Sequence, residues 1–275
     1  MEEFQRLLEP FQRPDKIEDY KRRLGMQTAI FNLTGKIWLF VEDLFEVKVL
    51  VDHEQHITIK LNSNGQQEEI VISIVYAKCT NRERLDLWGS LEDFASQMHK
   101  PLIMAGDFNV IMSEDEKYGG LAVGTNEIQD FKLSMQNCEV QDLSFKGSRY
   151  TWWNGKSGDD RIFKRLDRCL GNFRLQQMFP EIEVYHLTKT SSDHAPLLVS
   201  YTRNNDLIKK PFKFLNFWVK NDTFMEIKAS LVQWSSDTFG NIFQEIETLE
   251  NVIKVHEIQF ELQPTPHNRE KLHRV

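Results

Sequence analysis

The sequence predicts a mixed α/β domain built in layers over residues 1–203, with helices covering the outer faces of two packed sheets. Three observations carry this. Segments rich in β-branched and aromatic residues recur along that stretch, several with period-two alternation. Between them lie stretches whose apolar residues recur at helical spacing. An Asn-Gly turn joins two of the strand-like segments, which marks a hairpin.

The elements follow in order. A short apolar-ended segment, "FQRLL", and a Pro-bounded loop lead into a helix over "KIEDYKRRLGM", which Gly25 is placed to end. From Lys36 to Ala77 the texture is strand: "KIWLFV", "EVKVLVD", "HITIKL" and "EEIVISIVYA", with "NSNGQQ" (62–67) as the hairpin turn. "NRERLDLWGSLEDFASQM" places Leu85, Trp88, Leu91 and Phe94 at helical spacing. "PLIMAGDFNV" is a short apolar strand ending at Gly106, and "TNEIQDFKLSMQNC" is a second helix of this region. Strand-like pieces return at "RYTWWN", "RIFKRLDRCLG", "EVYHLTK" and "APLLVSY". After "TRNNDLIKK" (202–210) comes the aromatic stretch "PFKFLNFW", then a strand-poor region. Ile242, Ile246, Leu249 and Ile253 there predict a long amphipathic helix, so 204–275 reads as a helical linker or tail.

Composition narrows the function. Of 275 residues, 40% are apolar and 27% charged, enough to fill a sizeable core. The formal charge of −7 makes the chain as a whole a poor match for a polyanion, so nucleic acid would need a local basic patch or a metal. Cys79, Cys138 and Cys169 lack zinc-ligand spacing and suggest neither a disulfide framework nor a disulfide-linked partner, which points to a nuclear or cytoplasmic home. The charged N-terminus reads as neither signal nor anchor, and no apolar run approaches the roughly 20 residues of a spanning helix, so no membrane is expected.

Four motifs carry chemistry. "IMAGDFNV" (103–110) puts Asp107 and Asn109 at the end of a buried strand, on one side of an extended chain, with Gly106 leaving room for close approach. A carboxylate there can bind Mg²⁺ or position water, and an amide can donate to phosphate; a turn with local side chain–backbone bonds is the alternative. "SSDHAPLLVS" (191–200) brings Asp193 and His194 to a strand start, as a proton carrier or as a structural histidine. In "RLDRCLGN" (165–172), Asp167 is a candidate to orient His194, or a solvent-facing partner of Arg165 or Arg168. Tyr76 ends "IVISIVYA", with a phenol able to reach phosphate, or as a plain core aromatic.

Together, and in this order, these residues resemble the endonuclease/exonuclease/phosphatase superfamily. The finer texture resembles the endonuclease domain of plant non-LTR (LINE-type) retrotransposons, in "GKIWLF", "VYAKCTNRERLDLW", "GDFNVIMSEDEKYGG", "YTWWNG", "HLTKTSSDHAPLL" and "PFKFLNFW". The resemblance implies a four-layered α/β sandwich of two packed mixed sheets flanked by helices, with a C-terminal helical tail. It also implies Mg²⁺-dependent hydrolysis of DNA phosphodiesters, with Mn²⁺ as the alternative ion. Glu9, with Asp193, would hold the metal; Asp107 would act on water; Asn109, Tyr76 and His194, the last held by Asp167, would meet the phosphate. Thr151 matches a supporting position.

Two departures qualify the expectation. The family's first strand, with its catalytic asparagine, has no counterpart here, and the reverse transcriptase that follows such domains is missing, so the chain reads as an N-terminally truncated endonuclease domain. Residues 161–174 hold five basic side chains, Arg161, Lys164, Arg165, Arg168 and Arg174, against one acid, which suggests a DNA-backbone patch or a solvated strand face. Trp152 and Trp153 read as sheet-packing residues or a stacking platform, and "SEDEK" (113–117) as a solvated loop. The competing functions are a catalytically dead remnant that at most binds nucleic acid and a phosphatase for small phosphoesters.

Overall fold

The computed structural model of the chain describes residues 4–8, 12–63, 69–189, 192–201, 230, 233, 242–263 and 265–274. Two units are present, Met1–Thr202 and Arg203–Val275. In chain order the first runs β1 (Phe4–Leu8), α1 (Ile17–Leu24), β2 (Thr28–Phe31), β3 (Ile37–Val41), β4 (Phe45–Asp52), β5 (His56–Ser63), β6 (Glu69–Tyr76), α2 (Asn81–Ser96) and β7 (Leu102–Asp107). It continues through β8 (Lys117–Tyr118), α3 (Thr125–Asn137), β9 (Val140–Asp142), β10 (Phe145–Gly147), β11 (Trp152–Trp153), β12 (Phe163–Lys164), β13 (Asp167–Asn172), α4 (Phe173–Met178), β14 (Glu183–His186) and β15 (Leu197–Ser200). The second unit contains α5 (Ile242–Leu262) and α6 (Pro266–Arg274).

The central sheet has the order β4-β5-β6-β7-β13-β9 and is antiparallel except for the parallel pair β6–β7. α2 supplies the crossover that a parallel pair needs. Alternation along these strands sorts their side chains onto two faces. Val71, Val75, Leu102, Met104 and Leu170 meet Leu87, Trp88 and Leu91 of α2 and Phe131 and Met135 of α3. On the opposite face Ile57, Ile59, Leu61 and Ile74 meet Ile37, Leu39 and Val41 of β3. Beside them Ile103, Ala105 and Cys169 meet Val184 of β14 and Leu197 and Val199 of β15.

The second sheet layer is therefore in two pieces, β1-β3-β2 and β10-β14-β15, side by side on one face of the central sheet. Its outer side carries Trp38 and Phe40, which pack with Ile17 of α1 and Met26. β3 is covered on both faces and all five of its residues are fully buried, which is why "IWLFV" shows no polar alternation. At about 1.5–3 kcal/mol per buried large side chain, it is a principal anchor of that layer. The layers are those of the expected four-layered sandwich.

Several elements differ from expectation. "TAIF" forms β2, and β8, β9, β10 and α4 are too short for periodicity to show. "RIFKRLDRCLG" is two strands, because the chain changes sheets at Arg165–Leu166. On α2 the inward stripe is Arg84, Leu87, Trp88 and Leu91, and Leu85 is exposed. The "NSNGQQ" turn lies largely outside the described residues, although its flanks pair antiparallel with Asn62 opposite Glu69. "PFKFLNFW" lies wholly outside them. α1 does end at Gly25, whose φ of 70° is left-handed.

Gly106 fixes how β7 lies against β6. Its φ is +152°, and a Cβ there would come within 1.9 Å of the Val75 carbonyl oxygen. Gly106→Ala is expected to destabilise the domain by at least about 2 kcal/mol, because the obstacle is backbone and cannot rotate away. Urea unfolding followed by tryptophan fluorescence measures it; an unchanged midpoint would contradict this account.

Candidate active site

Tyr76, Asp107 and Asp167 end three neighbouring strands in one row. Tyr76 is the register partner of Asp107 across the parallel pair, and Asp107 of Asp167 across the antiparallel one. The three positions share the alternation of Ile74, Ala105 and Cys169, so the row belongs to the face that meets the second sheet layer. Asp107 is 2% exposed and Asp167 4%. Two carboxylates buried this closely need partners.

Asp107 finds them in its own turn. Asn109 has φ +52°, a left-handed conformation that asparagine tolerates better than most residues. The turn lets its backbone N–H donate to Asp107 Oδ1 (2.9 Å) and its Nδ2 to Asp107 Oδ2 (3.0 Å) and Ala77 O (2.8 Å). Both amide N–H bonds are thus given within the site, as in the turn with local bonds that was the alternative to a phosphate donor. Beneath it lies fully buried Arg84, whose Nη1 donates to the carbonyls of Lys78, Cys79 and Asn109 and whose Nη2 pairs with Glu127 (2.5 Å). Helical periodicity hid Arg84, since a charged residue at an inward position reads as an error of phase.

Asp167 is held from the other side. The Thr151 hydroxyl oxygen accepts the backbone N–H groups of Leu166 and Asp167, each at 2.9 Å. Thr151 O accepts Ala195 N–H (2.7 Å), and Trp152 bridges to His194. This ties the segment before β15 to the row. His194 Nδ1 then donates to Asp167 Oδ2 (2.8 Å), leaving Nε2 at 3.9 Å from Asp107 Oδ2. Asp193 accepts from Trp152 Nε1 (2.9 Å), a contact that sequence reasoning missed.

Burial alone would lower the pKa of His194, but the hydrogen bond and charge of Asp167, with the charges of Asp107 and Asp193, outweigh it and raise it to about 9. The ring is therefore an imidazolium at neutral pH. Among the described residues Asp107, Asp167 and His194 form a group offering one potential ligand atom each, all within 4.8 Å of one another. Carboxylate oxygens suit Mg²⁺ or Mn²⁺ and a protonated imidazole does not, so the site fits such an ion through its acids. Glu9, the expected metal-binding glutamate, lies outside the described residues.

No protein-family model matches the chain, and no curated protein does. Solved structures do. The endonuclease domain of TRAS1, a telomere-specific non-LTR retrotransposon, is similar at TM-score 0.50 and 15% identity, over 65% of this chain and 79% of that one. TDP2 from C. elegans is similar at TM-score 0.49 and 14% identity, over 72% and 64%. AP endonuclease LMAP from Leishmania major gives TM-score 0.46 and 14% identity, over 73% and 70%. The fold is that of the endonuclease/exonuclease/phosphatase proteins.

On this endonuclease/exonuclease/phosphatase fold the expected basic patch does not form as a patch. Arg165 and Arg168 are buried, 6% and 0% exposed, between two acids. Arg165 meets Glu116 (3.0 Å) and Asp142 (2.7 Å); Arg168 meets Asp142 (2.9 Å) and, bidentately, Glu116. Burial pushes the Glu116 carboxyl up, but Arg168, the Met112 N–H and Arg165 together hold it below the usual range. "SEDEK" is thus no plain solvated loop: Glu116 anchors the chain after the Asp107 turn to β13. Nothing in the local sequence marks this, because Glu116 and Arg168 are 52 residues apart.

Of the remaining basic residues, Arg174 is exposed on α4 and Arg161 donates to the Tyr118 hydroxyl (2.6 Å). Lys164 Nζ lies 5.6 Å from the centre of the Trp152 ring. Trp153 stacks on Phe163 at 6.0 Å, a packing role.

Two measurements test this arrangement. In metal-free protein, NMR titration should give His194 a pKa near 9, and Asp167→Asn should lower it markedly, since burial then dominates. A raised folded pKa also means that the His194 contribution to stability is complete below the unfolded value, 6.5, and lost as pH rises through about 9. Arg168→Met should cost about 3–5 kcal/mol by leaving Glu116 and Asp142 short of a cation in the interior, read as a fall in denaturation midpoint.

Proposed function

We propose that the chain is a divalent-metal-dependent phosphodiester hydrolase of the kind that nicks duplex DNA, as the endonuclease domains of non-LTR retrotransposons do. The observation that carries this reading is the convergence of Asp107, Asn109, Asp167 and His194, drawn from segments far apart in sequence, on one strand end.

The residues divide the work. Asp107, aimed by both N–H donors of Asn109, orients the attacking water and accepts its proton. His194, kept protonated and fixed by Asp167, donates from Nε2 to the phosphate as negative charge builds there. Thr151 fixes Asp167, and Tyr76 borders the phosphate on the β6 side. Mg²⁺ or Mn²⁺, if bound, would be held by Asp107 of the acid group and by Glu9 and Asp193, the residues the family resemblance implies, and would supply charge neutralisation at the phosphate and leaving oxygen. Of the basic run, Lys164 and Arg161 would meet the DNA backbone. A nuclear or cytoplasmic location follows from a DNA substrate and from three unbridged cysteines. Among the described residues, no helix is long and apolar enough to cross a membrane.

The test is nicking of supercoiled plasmid with Mg²⁺. The parent should convert it to open circles, and Asp107→Ala and His194→Ala should each lower the rate by at least about 100-fold. Turnover of an inositol phosphate without nicking would replace the DNA reading by the phosphatase one. A parent silent toward both, yet binding DNA, would leave the dead remnant.

A further inference from the structure

We infer that Lys117 and Lys164 together hold one phosphate of the DNA backbone flanking the scissile one, a step that rests on the DNA reading above. The small sheet β11-β12-β8 carries the ground for it. Its register sets Trp152 opposite Lys164 and Lys164 opposite Lys117, so these three form one row on one face. The neighbouring row, Trp153, Phe163 and Tyr118, takes the other face and is packed. Trp153 stacks on Phe163 at 6.0 Å, and the Tyr118 ring lies 6.3 Å from the same phenyl. One face of the sheet is thus aromatic and spent on packing, while the other carries the two lysines. The basic row starts at the site, because Trp152 donates to Asp193 and bridges to His194. From there it runs across two strand spacings, about 10 Å, to Lys117.

Like charges directly opposite on neighbouring strands destabilise a sheet. A second such pair offers a comparison: Lys48 and Lys60 face each other across β4 and β5, and there Lys60 Nζ has Glu69 at 2.7 Å. Among the described residues neither Lys117 nor Lys164 has a carboxylate within 4.0 Å. Glu127 of α3, whose charge acts on Lys164, is itself held by Arg84 at 2.5 Å. Lys117 Nζ donates to the carbonyl of Leu121, which takes one of three ammonium hydrogens and none of the charge. Lys164 Nζ lies over the Trp152 ring, 5.6 Å from its centre. Both lysines are half-buried, and burial, then the charge of Lys117, lowers the pKa of Lys164. A lysine resting on a ring and a lysine capping a turn would account for each contact singly. They would not account for two like charges set opposite each other with no acid to separate them. A phosphate between them does, since it accepts from both ammonium groups and turns repulsion into attraction.

The experiment is binding of a labelled DNA duplex, followed by fluorescence anisotropy in EDTA from about 50 to about 200 mM salt, so that no cleavage is needed. Lys117→Met and Lys164→Met should each weaken binding several-fold at the low end, with the urea midpoint of the parent. The double variant should lose little more than either. Its slope of log affinity against log salt should fall by about 0.9, the loss of one phosphate contact. Lys117→Arg should keep both affinity and slope. Lys48→Met, which removes the same charge from the exposed edge strand β4, should change little. A loss that comes with a lower urea midpoint would belong to the fold and overturn the assignment. If either lysine variant binds as Lys48→Met does while the parent binds, or if the two losses add in full, no phosphate is shared and the DNA reading stands. A parent that binds no duplex at low salt overturns both.

Discussion

Two buried carboxylates on adjacent strands are the constraint from which this structure follows. Their nearest ligand atoms lie within 4.8 Å. At an effective dielectric of about 20, two negative charges that close repel by about 3 kcal/mol, on top of the cost of burying each. Such a pair persists only if the surroundings hold it. Asp107 is held by a left-handed asparagine turn, and Asp167 by a histidine brought in from another sheet. The proton on His194 is part of the same account: Asp167, Asp107 and Asp193 raise its pKa against the effect of burial. The side chains proposed for catalysis are thus also those that make the burial of this pair tolerable.

The same strand carries a second charge problem on its other face. Alternation sends Asp167 to one side of β13 and Arg168 to the other, and Arg168 is as deeply buried as any residue in the molecule. Its partners, Glu116 and Asp142, come from the segments on either side of α3, so the ion cluster fastens that excursion of the chain to the strand bearing Asp167. Arg84 does the corresponding work beneath Asn109. The carboxylate row is thus backed by two buried guanidinium groups, each bonded to backbone carbonyls as well as to acids. Guanidinium suits this place because its fork of donors satisfies several acceptors at once, which an ammonium does not do in a plane.

How much of this was legible in the sequence depended on the range of the interaction. Segments such as β5, β6 and α3 were readable because a buried face leaves its period in the chain, and β3 because it is rich in β-branched and aromatic residues. "GDFN", "RLD" and "SDH" were readable as chemistry, since each puts an acid at a strand terminus. Their juxtaposition was not, because nothing local says that β13 lies beside β7 in a register that sets Asp167 opposite Asp107. The basic run misled for the same reason. Arg165 and Arg168 look like a solvated cationic face until Glu116 and Asp142 arrive from elsewhere. Asn109 read as a phosphate donor or as a local turn, and the left-handed turn gives both its amide N–H bonds to Asp107 and Ala77.

The division of the second sheet layer bears directly on what such a site can accept. A continuous second sheet would lie over the carboxylate row and close it. Here the layer is two three-stranded pieces, and it is the segments entering β3 and β15 that reach the row. Among the described residues the row is therefore approached by loops and not by strands, while its two acids stay buried. His194 is the cation that the segment entering β15 brings to that row, and it comes from outside the sheet that bears the acids.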